Sequence, residues 1–453
     1  MHTSSTAKRI LRTVAVVAAT GLAAVGLAAC SSSGSSGSGS ATSGTVTWWG
    51  WTPDLSVAKT YIAEFNKKYP KITVKYKQVT IDNWEAALRP ALASPSGPDI
   101  FDIQPGARVT AFQGFAEDMA PVAKDALGAD WKSKVSQIGV TGLTAKNGKL
   151  TALSVGATYA GSLWINPDLF SKYNVKVPTT LDEWIKACQT FKAAGQGCFV
   201  QGAAGEGFDQ DTLQSISDSI KPGVWAKASQ QKGAKWTDPT IVKTFEVWKQ
   251  LFDKGIMQEG AIGYQQYPDA NNAFLTGKYA MVMMGTWYTQ YATQAGNTAA
   301  LAAAGVANAK SFPIVPIQFP DVTGSGNPAQ IFGDADYGLA INTKSKSKAA
   351  AETFVKWLTL SKEGQQVVAN SLNDIPALKG VSPDFDSIKL VDSAKQQQPI
   401  KDLIDRATAS SETRFLYISQ DLSDAILKAA TGVSDGSTAP KDAAAALQAA
   451  AGQ

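Results

Sequence analysis

The hydrophobic pattern after residue 44 predicts a strand, a helix and a second strand. The segment from Thr45 to Trp49 is typical of a strand. Apolar side chains then recur at helical spacing until Pro70 interrupts them, namely Leu55, Ala58, Tyr61, Ile62, Phe65 and Tyr69. From Ile72 to Tyr76, apolar and polar residues alternate, as in a strand with one covered face. Together these elements predict a β-α-β unit.

A further strand is predicted from Asp99 to Gln104, between the breakers Ser96-Gly97-Pro98 and Pro105-Gly106. Parallel α/β sheets bind ligands at the carboxyl ends of their strands. We therefore expect ligand contacts in the loops Trp49-Gly50-Trp51 and Gln104-Pro105-Gly106.

Later in the chain, a capping box predicts where a helix begins: Thr180 is its N-cap and Glu183 reaches back toward it. The apolar face of this helix includes Cys188, and Gly195 ends it. Other helices are predicted over 347–360, 362–371, 419–430 and 440–451. Tryptophans on predicted helix faces are expected to pack in the core, namely Trp84, Trp184, Trp248 and Trp357.

The amino terminus has the pattern of an export signal. Three basic residues precede the apolar run from Val14 to Ala29, namely Lys8, Arg9 and Arg12. This run is shorter than the roughly 20 residues that span a bilayer, so a cleaved signal peptide over 1–29 is expected. The sequence Leu27-Ala28-Ala29-Cys30 resembles a bacterial lipobox, which implies a lipid on Cys30.

A low-complexity segment follows the lipobox. Ser31 to Gly44 contains only Ser, Gly, Ala and Thr, which predicts a flexible tether over 30–44 with a span of about 20 Å. We expect the protein on the extracellular face of the cytoplasmic membrane, or in the periplasm if the cell has an outer membrane.

The length and charge of the remainder limit its class. Residues 45–453 are too many for one ordinary core, so two domains are expected. The formal charge is +4, from 42 basic and 38 acidic residues. Loss of the three basic residues in the signal leaves 39 basic and 38 acidic residues, so the mature chain is nearly neutral. A neutral chain does not favour nucleic acid as a partner. We expect a monomer.

Histidine and cysteine usage excludes several chemistries. The single histidine is His2, inside the predicted signal, so the mature chain lacks the imidazole of Ser-His-Asp and Cys-His catalysis. We expect no metal and no cofactor. The Asp-x-Asp pairs that begin at Asp209 and Asp334 supply too few carboxylates for an EF-hand calcium loop. Cys188 and Cys198 are expected to form a disulfide in an oxidising exterior, with two buried thiols as the alternative.

Five motifs follow one another along the chain, namely Val46-Thr47-Trp48-Trp49, Ser96-Gly97-Pro98-Asp99-Ile100-Phe101, Trp164 to Phe170 with Pro178-Thr179-Thr180, Phe274 to Met281 with Gly285-Thr286-Trp287, and Gly338 to Asn342. In this order they resemble the extracellular solute-binding proteins of bacterial ABC importers, the sugar-binding group similar to maltose-binding protein. The resemblance implies an α/β fold of two lobes (class II type), each a sheet flanked by helices, joined by a multi-strand hinge. It also implies ligand capture by hinge closure and delivery to permease subunits in the membrane.

By this resemblance, lobe I comprises 45–157 plus 338–373, and lobe II comprises 158–337 plus 374–453. The chain is expected to cross between the lobes near 154–158, 332–338 and 372–376. No P-loop motif is present, so an importer would need separate ATPase subunits.

A sugar site needs aromatic platforms for the C–H face of a pyranose and planar polar groups for its hydroxyls. Trp49, Trp51 and Trp287 are the candidate platforms, with ordinary packing as the alternative for each. Trp48 alternates with Trp49 along the strand and is expected in the core.

Carboxylates and other polar groups complete the candidate sugar site. Asp334 and Asp336 lie at a predicted crossover that faces the cleft. The glycine-rich region with Glu206, Asp209 and Asp211 is a further candidate, although its composition favours a solvated loop over a ligand contact. The remaining polar candidates are Gln104, Tyr159 and Arg414. All of these positions rest on loop placement and not on residue matches.

Other functions fit parts of the same pattern. A secreted glycoside-active enzyme could use Asp334 and Asp336, but residues two apart on one loop do not by themselves flank a bond, and no hydrolase motif is present. A binding protein for a non-sugar solute and a structural surface protein are further alternatives. We expect a binding protein and no enzymatic activity.

Overall fold

The structure is a computed structural model that describes residues 40–452, apart from 206, 307 and 328. The predicted signal peptide, Cys30 and the first part of the predicted tether lie outside these residues. Within the described part of the chain, no helix combines the length and the apolar character that crossing a bilayer requires.

The end of the predicted tether is ordered against the body of the protein. The Thr353 hydroxyl donates to the Ala41 carbonyl at 2.8 Å, and the Gly44 N–H donates to the Lys71 carbonyl at 3.1 Å. The prediction of a flexible tether over 30–44 is therefore wrong for its last residues, because the backbone at Ala41 and Gly44 is hydrogen-bonded to the folded domain.

The strands form three sheets within the described residues, and they are, in chain order, β1 (Gly44–Gly50), β2 (Ile72–Gln78), β3 (Ile100–Ile103), β4 (Leu153–Ser154), β5 (Gly156–Ala160), β6 (Ser162–Ile165), β7 (Gly197–Val200), β8 (Tyr279–Met284), β9 (Val315–Gln318), β10 (Phe332–Ala335), β11 (Gly338–Ile341) and β12 (Ile375–Pro376). Sheet A has the order β2-β1-β3-β11-β4, sheet B has the order β7-β8-β6-β9, and the hinge sheet has the order β10-β5-β12.

The helices between these strands are α1 (Leu55–Lys68), α2 (Trp84–Ala93), α3 (Ala107–Phe112), α4 (Ala120–Leu127), α5 (Trp131–Lys134), α6 (Gln137–Gly142), α7 (Pro167–Lys172), α8 (Leu181–Ala193), α9 (Phe208–Ile220), α10 (Val224–Ser229), α11 (Pro239–Asp253), α12 (Asn271–Leu275), α13 (Gln294–Ala303), α14 (Lys348–Leu360), α15 (Lys362–Ser371), α16 (Ser393–Ala409), α17 (Gln420–Ser434) and α18 (Pro440–Ala450). The predicted helices are all present, with ends that differ by a few residues.

Sheet A contains the predicted β-α-β unit. Strand β1 pairs in parallel with both β2 and β3, while β11 runs antiparallel to β3 and β4. Because β1 and β3 are parallel, their carboxyl ends meet at one edge of the sheet. Helices α1 and α14 pack on this sheet, and the core of this half includes Trp48, Trp84 and Phe354, which are fully buried. The core expected for Trp48 and Trp84 is thus confirmed.

Sheet B forms the centre of the second half of the molecule. Strand β7 pairs in parallel with β8, and β6 runs antiparallel to β8 and β9. Its core contains Trp184 and Trp248, as expected for helix-face tryptophans.

The hinge sheet connects the two halves. Strand β5 lies between β4 of sheet A and β6 of sheet B in the chain, and β10 leads into β11 of sheet A. Antiparallel pairing holds Asp334 opposite Thr158, and Ile375 opposite Ala157. The chain therefore passes between sheets A and B through a hydrogen-bonded sheet and not through loose linkers.

Helix α8 begins at its capping residue as predicted. The Thr180 hydroxyl accepts from the Glu183 N–H at 3.3 Å. The Glu183 carboxylate, however, accepts from the N–H and the hydroxyl of Thr179, at 2.8 and 2.7 Å. In a standard capping box this carboxylate accepts from the N–H of the N-cap residue, which here is Thr180. In this protein it accepts instead from Thr179, the residue before the N-cap.

A disulfide joins α8 to β7. Cys188 and Cys198 are bonded, with Cα atoms 5.0 Å apart, so the expected pairing is confirmed and the alternative of two free thiols is wrong.

We expect Cys188→Ala to lower the free energy of unfolding by about 3 kcal/mol, because the cross-link restricts the unfolded chain. Urea denaturation of the wild-type protein with and without reductant provides the measurement, and Cys188→Ala in the absence of reductant provides the comparison. A variant as stable as the oxidised protein would contradict a stabilising role.

Candidate ligand-binding cleft

A cavity of about 710 Å³ lies between the carboxyl-end loops of sheet A and the elements of the second half. Sheet A contributes the β1–α1 and β3–α3 loops and helix α2. The other wall comes from the start of α9, the turn after β8, the 414–418 segment and α17. This volume lies in the usual range of small-ligand sites.

Trp51 forms an aromatic surface on the sheet A wall. It follows β1, and its ring packs edge-on against Trp84 and Tyr337, with centroids 5.2 and 6.3 Å away. The Arg108 guanidinium lies 5.5 Å from the Trp51 ring centroid. These neighbours hold the indole in one orientation, which is what a stacking platform requires.

Arg108 organises the polar groups beside this tryptophan. It donates from Nη1 to Gln104 Oε1 at 2.6 Å and from Nε to Glu85 Oε1 at 3.2 Å. Gln104 follows β3 and Glu85 lies on α2, so the guanidinium ties the strand end to the helix.

Trp287 forms the opposite aromatic surface. Its Nε1 donates to the Tyr267 hydroxyl at 3.2 Å, and the Arg414 guanidinium lies 4.7 Å from its ring centroid. A Cβ on Gly285 would lie 2.1 Å from the Trp287 ring, so the turn requires glycine at that position.

A buried ion pair holds Arg414. It donates from Nε to Asp211 Oδ1 at 2.7 Å and from Nη2 to Asp211 Oδ2 at 2.5 Å, while the two side chains are 8% and 2% exposed. Burial raises the pKa of Asp211, and the Arg414 charge opposes that rise. This bidentate pair fixes the guanidinium beside Trp287.

Asp334 holds the backbone of the segment that carries Arg414. Its Oδ2 accepts from the N–H groups of Arg414, Phe415 and Leu416, at 3.2, 2.5 and 3.0 Å. Burial raises the pKa of Asp334 to about 7, and these N–H groups oppose the rise. Asp334 is therefore engaged with backbone at the hinge and not with the cavity.

Asp336 lines the cavity two residues further on. Its Oδ1 accepts from the Thr158 hydroxyl at 3.0 Å, and burial raises its pKa to about 6. The carboxyl group of Asp374 lies beside it, and burial together with this neighbouring carboxylate raises the pKa of Asp374 well above its usual range. The two acids come from different parts of the hinge.

Asp209 lies at the amino end of α9 and lines the cavity. It is 2% exposed, and both of its carboxylate oxygens are shielded from solvent. Burial raises its pKa to about 8, with the nearby charge of Asp211 contributing. The neighbouring Gln201 side chain opposes this rise in the pKa of Asp209 but does not cancel it.

The two walls touch across the cavity. The Tyr291 hydroxyl donates to Asp54 Oδ2 at 2.5 Å, which joins the turn after β8 to the β1–α1 loop. On the hinge side, the Gln290 side-chain amide donates to Asn373 Oδ1 at 2.8 Å. The two walls of the cavity are therefore in direct contact in this structure.

The structure brings some of the candidate site residues together and places others elsewhere. Those that line the cavity are Trp51, Gln104, Trp287, Asp336 and Arg414. Glu206 lies outside the described residues. The solvated loop considered for Asp209 and Asp211 is wrong, since both are buried in α9.

Trp49, Tyr159 and Asp334 do not line the cavity. Trp49 points to the opposite side of β1 from Trp48, where Lys77 Nζ lies 3.6 Å from its ring centroid. Tyr159 is buried in hinge strand β5, where burial and Asp334 raise its pKa to about 12. Loop placement therefore led to the region of the cavity, but strand alternation and hinge packing direct these three side chains elsewhere.

Several cavity residues were not identified from the sequence. Asp54 and Arg108 lie just beyond the two predicted contact loops, so a wider window at the strand ends would have included them. Tyr267, Phe208 and Asp424 line the cavity from helices or irregular segments distant in sequence, and no local pattern identifies them. Among the described residues, no cluster of His, Cys, Asp or Glu could hold a metal ion.

The profile described as bacterial extracellular solute-binding protein matches residues 49–366. This chain belongs to that family. The solute-binding protein is 26% identical over 334 residues to the multiple sugar-binding protein of Streptococcus mutans, and this match covers 73% of this chain and 74% of that protein.

Solved structures of low sequence identity share the fold. Maltose-bound MalE3 of T. maritima is 19% identical with a TM-score of 0.69, and the match covers 90% of this chain and 99% of that one. The GacH receptor of Streptomyces glaucescens, solved unliganded and with acarbose, is 22% identical with a TM-score of 0.68, covering 90% and 97%. The predicted α/β class of two lobes joined by a hinge is confirmed.

The buried carboxyls make the stability of the solute-binding protein depend on pH. The pKa values of Asp209, Asp334 and Asp336 are raised to about 8, 7 and 6. A raised pKa means that the folded state holds the proton more tightly than the unfolded state, so the resulting stabilisation is present below pH 4 and is lost as the pH rises toward 8.

We expect the melting temperature to fall between pH 5 and pH 8, with Asp209 alone accounting for about 3 kcal/mol. The Asp209→Asn variant should show a flatter profile, because the amide does not titrate. Identical profiles for variant and wild type would contradict this assignment.

Proposed function

We propose that this protein is the lipid-anchored, extracellular solute-binding subunit of an ABC importer, and that it captures a sugar or oligosaccharide in the cleft. The observation that carries the proposal is the pairing of Trp51 and Trp287, which line one cavity from opposite walls. Two aromatic faces surrounded by carboxylates, amides and hydroxyls suit a ligand with C–H faces and a rim of hydroxyls. The multiple sugar-binding name of the Streptococcus mutans relative and the maltose in the T. maritima structure support the same class.

Capture would occur by closure of lobe I (45–157 plus 338–373) on lobe II (158–337 plus 374–453). The contact between Asp54 and Tyr291 would form on closure, and the hinge sheet would absorb the rotation. Because ligand binds both walls at once, it favours the closed form, and a permease can distinguish that form from the open one.

The remaining parts of the proposal concern location and chemistry. Cys30 would carry the lipid after removal of residues 1–29, and the tether would place the lobes near the membrane. The protein would act as a monomeric carrier without a cofactor. Bound sugar would leave the cleft chemically unchanged. In the cleft, Trp51, Gln104, Trp287, Asp336 and Arg414 are the proposed ligand contacts.

The test is a thermal-shift screen of mono- and oligosaccharides, since a ligand that binds only the folded state raises its melting temperature. For a sugar that binds, Trp287→Ala should weaken affinity by about 10- to 100-fold, because it removes an aromatic anchor. Trp49→Ala is the matched control and should change affinity by less than about threefold, since Trp49 faces away from the cavity. No shift with any sugar, or equal effects of the two variants, would count against the proposal.

A further inference from the structure

Two carboxyl groups meet at the hinge from different crossings of the chain. Asp336 lies between β10 and β11, and Asp374 directly precedes β12. Gly156, at the start of β5, contacts both acids. Its carbonyl accepts from the Asp336 N–H at 3.1 Å, and a Cβ at this position would lie 2.5 Å from the Cβ of Asp374. Glycine therefore lets Asp374 approach the central hinge strand closely, beside Asp336.

The two acids are buried and hydrogen-bond to each other. Asp336 is 8% exposed and Asp374 is 5% exposed. Asp336 Oδ1 also accepts from the Thr158 hydroxyl at 3.0 Å, and Asp374 Oδ2 accepts from Asn373 Nδ2 at 2.6 Å. Ionised carboxylates only accept, so a hydrogen bond between two of them requires a proton on one. Burial and the charge of Asp336 raise the pKa of Asp374 well above its usual range, which makes Asp374 the acid that holds the proton.

A chain of hydrogen bonds joins this acid pair to the aromatic wall of the cavity. Asn373 Oδ1 accepts from Gln290 Nε2 at 2.8 Å, and the same amide donates to the Trp287 carbonyl at 3.2 Å. Asn373 and Gln290 are 1% and 5% exposed. Their contact lies where the two walls of the cavity meet. The acid pair is therefore one residue away from a contact that opening of the cleft would break.

Opening of the cleft would also change the surroundings of the acid pair. Asp336, Asn373 and Gln290 line the cavity, so separation of the walls would admit water to them. A hydrated carboxyl group holds its proton less tightly than a buried carboxyl group beside a second acid. The closed form therefore binds the proton more tightly than the open form. By linkage, a sugar that favours the closed form binds more tightly when the proton is present.

We propose that Asp374 is a positioning residue that couples sugar capture to protonation, because closure takes up a proton at the Asp336–Asp374 pair and the protonated pair supports the Trp287 wall through Asn373 and Gln290. This inference rests on the proposed function, since it concerns regulation of the same cleft. Its sign follows from the raised pKa of Asp374 in the closed form. The gain in affinity is present while Asp374 is protonated and is lost as the pH rises through that pKa.

Other ionisable groups surround the pair, so the test depends on a substitution at Asp374 itself. The charge of Arg414 opposes the rise in the pKa of Asp336, which reaches about 6. Asp334, on β10, has a pKa of about 7 and accepts from the 414–416 backbone. On the other side of β12, the exposed Asp405 of α16 lines a small cavity together with Asp374. The remaining neighbours are buried groups whose pKa values are raised, namely Tyr61, Tyr267, Tyr337 and Asp102.

Asp374→Asn imitates the protonated acid and cannot titrate. Its amide can donate to Asp336 and accept from Asn373. The probe is maltotriose, or the neutral sugar with the largest thermal shift if maltotriose does not bind, in calorimetric titrations of the full-length protein. Wild-type affinity should fall about tenfold between pH 6.5 and pH 8.5. Binding at pH 7.5 should take up protons, which is measured in buffers of different ionisation enthalpy.

The Asp374→Asn variant should bind at pH 6.5 within about threefold of the wild type, lose less than about threefold by pH 8.5 and take up no proton. Asp218→Asn is the matched control, because burial and the neighbouring Glu412 raise the pKa of Asp218 but neither acid lines the cavity. This variant should keep the pH dependence of sugar affinity. Asp374→Ala should bind more weakly at both pH values, since it can neither donate to Asp336 nor accept from Asn373.

Two results would overturn the inference and leave the proposed function intact. One is a wild-type affinity that does not change between the two pH values, and the other is a pH dependence that persists in Asp374→Asn. Failure of every sugar in the thermal-shift screen would instead overturn the proposed function, and the inference with it. If Asp374→Asn does not fold, sugar binding by the wild type without proton uptake would still overturn the coupling.

Discussion

Asp211→Ala is expected to lower the free energy of unfolding by about 3 to 5 kcal/mol, because it leaves the Arg414 guanidinium buried without its carboxylate. The bidentate hydrogen bonds, at 2.7 and 2.5 Å, are lost together, and water cannot replace them at a side chain that is 8% exposed. Urea denaturation measures the loss.

The surface pair between Lys249 and Asp253 provides the matched control. Its atoms lie 2.8 Å apart, but the side chains are 39% and 51% exposed, so Asp253→Ala should cost less than about 1 kcal/mol. The double variant Asp211→Leu with Arg414→Met should recover most of the stability, because no unpaired charge remains buried. It should not recover sugar binding, since Arg414 is a proposed contact. A loss below 1 kcal/mol for Asp211→Ala would contradict a stabilising role for this ion pair.

Asp334→Ala is expected to lower stability by about 2 to 4 kcal/mol and to weaken sugar binding as well. The substitution leaves the N–H groups of Arg414, Phe415 and Leu416 without their shared acceptor. Because this segment carries Arg414 and Phe415 into the cavity wall, its loosening should alter the cleft. Unfolding free energy and sugar affinity are therefore expected to fall together.

This coupled loss separates two roles for Asp334. A direct ligand contact, as loop placement suggested, would lose affinity while the unliganded protein kept its melting temperature. Asp334→Asn should be intermediate, since the amide oxygen can still accept from part of the segment. Loss of affinity with unchanged melting temperature in both variants would restore the direct-contact role.

Local sequence patterns predicted the secondary structure because they depend on neighbours in the chain. The period of apolar residues determined α1 and the β-α-β unit, and the Thr180 cap determined where α8 begins. The export signal and the spacing of Cys188 and Cys198 around the end of α8 together predicted their disulfide. The family motifs predicted the two-lobe fold, and the rule for strand ends led to Trp51 and Gln104.

Which side chains face the cleft was decided by tertiary structure. Trp49 and Trp51 lie two residues apart, yet only Trp51 lines the cavity, because it lies beyond the end of β1 while Trp49 is held on the strand beside Lys77. Asp334 and Asp336 are equally close in sequence, but hinge pairing directs the first to the 414–416 backbone and the second to the cavity. The burial of Asp209 likewise depends on how α9 packs, which its glycine-rich surroundings in the sequence did not indicate. Periodicity and turn chemistry are local, so the sequence by itself determined the elements and the fold class, whereas partners distant along the chain determined the site.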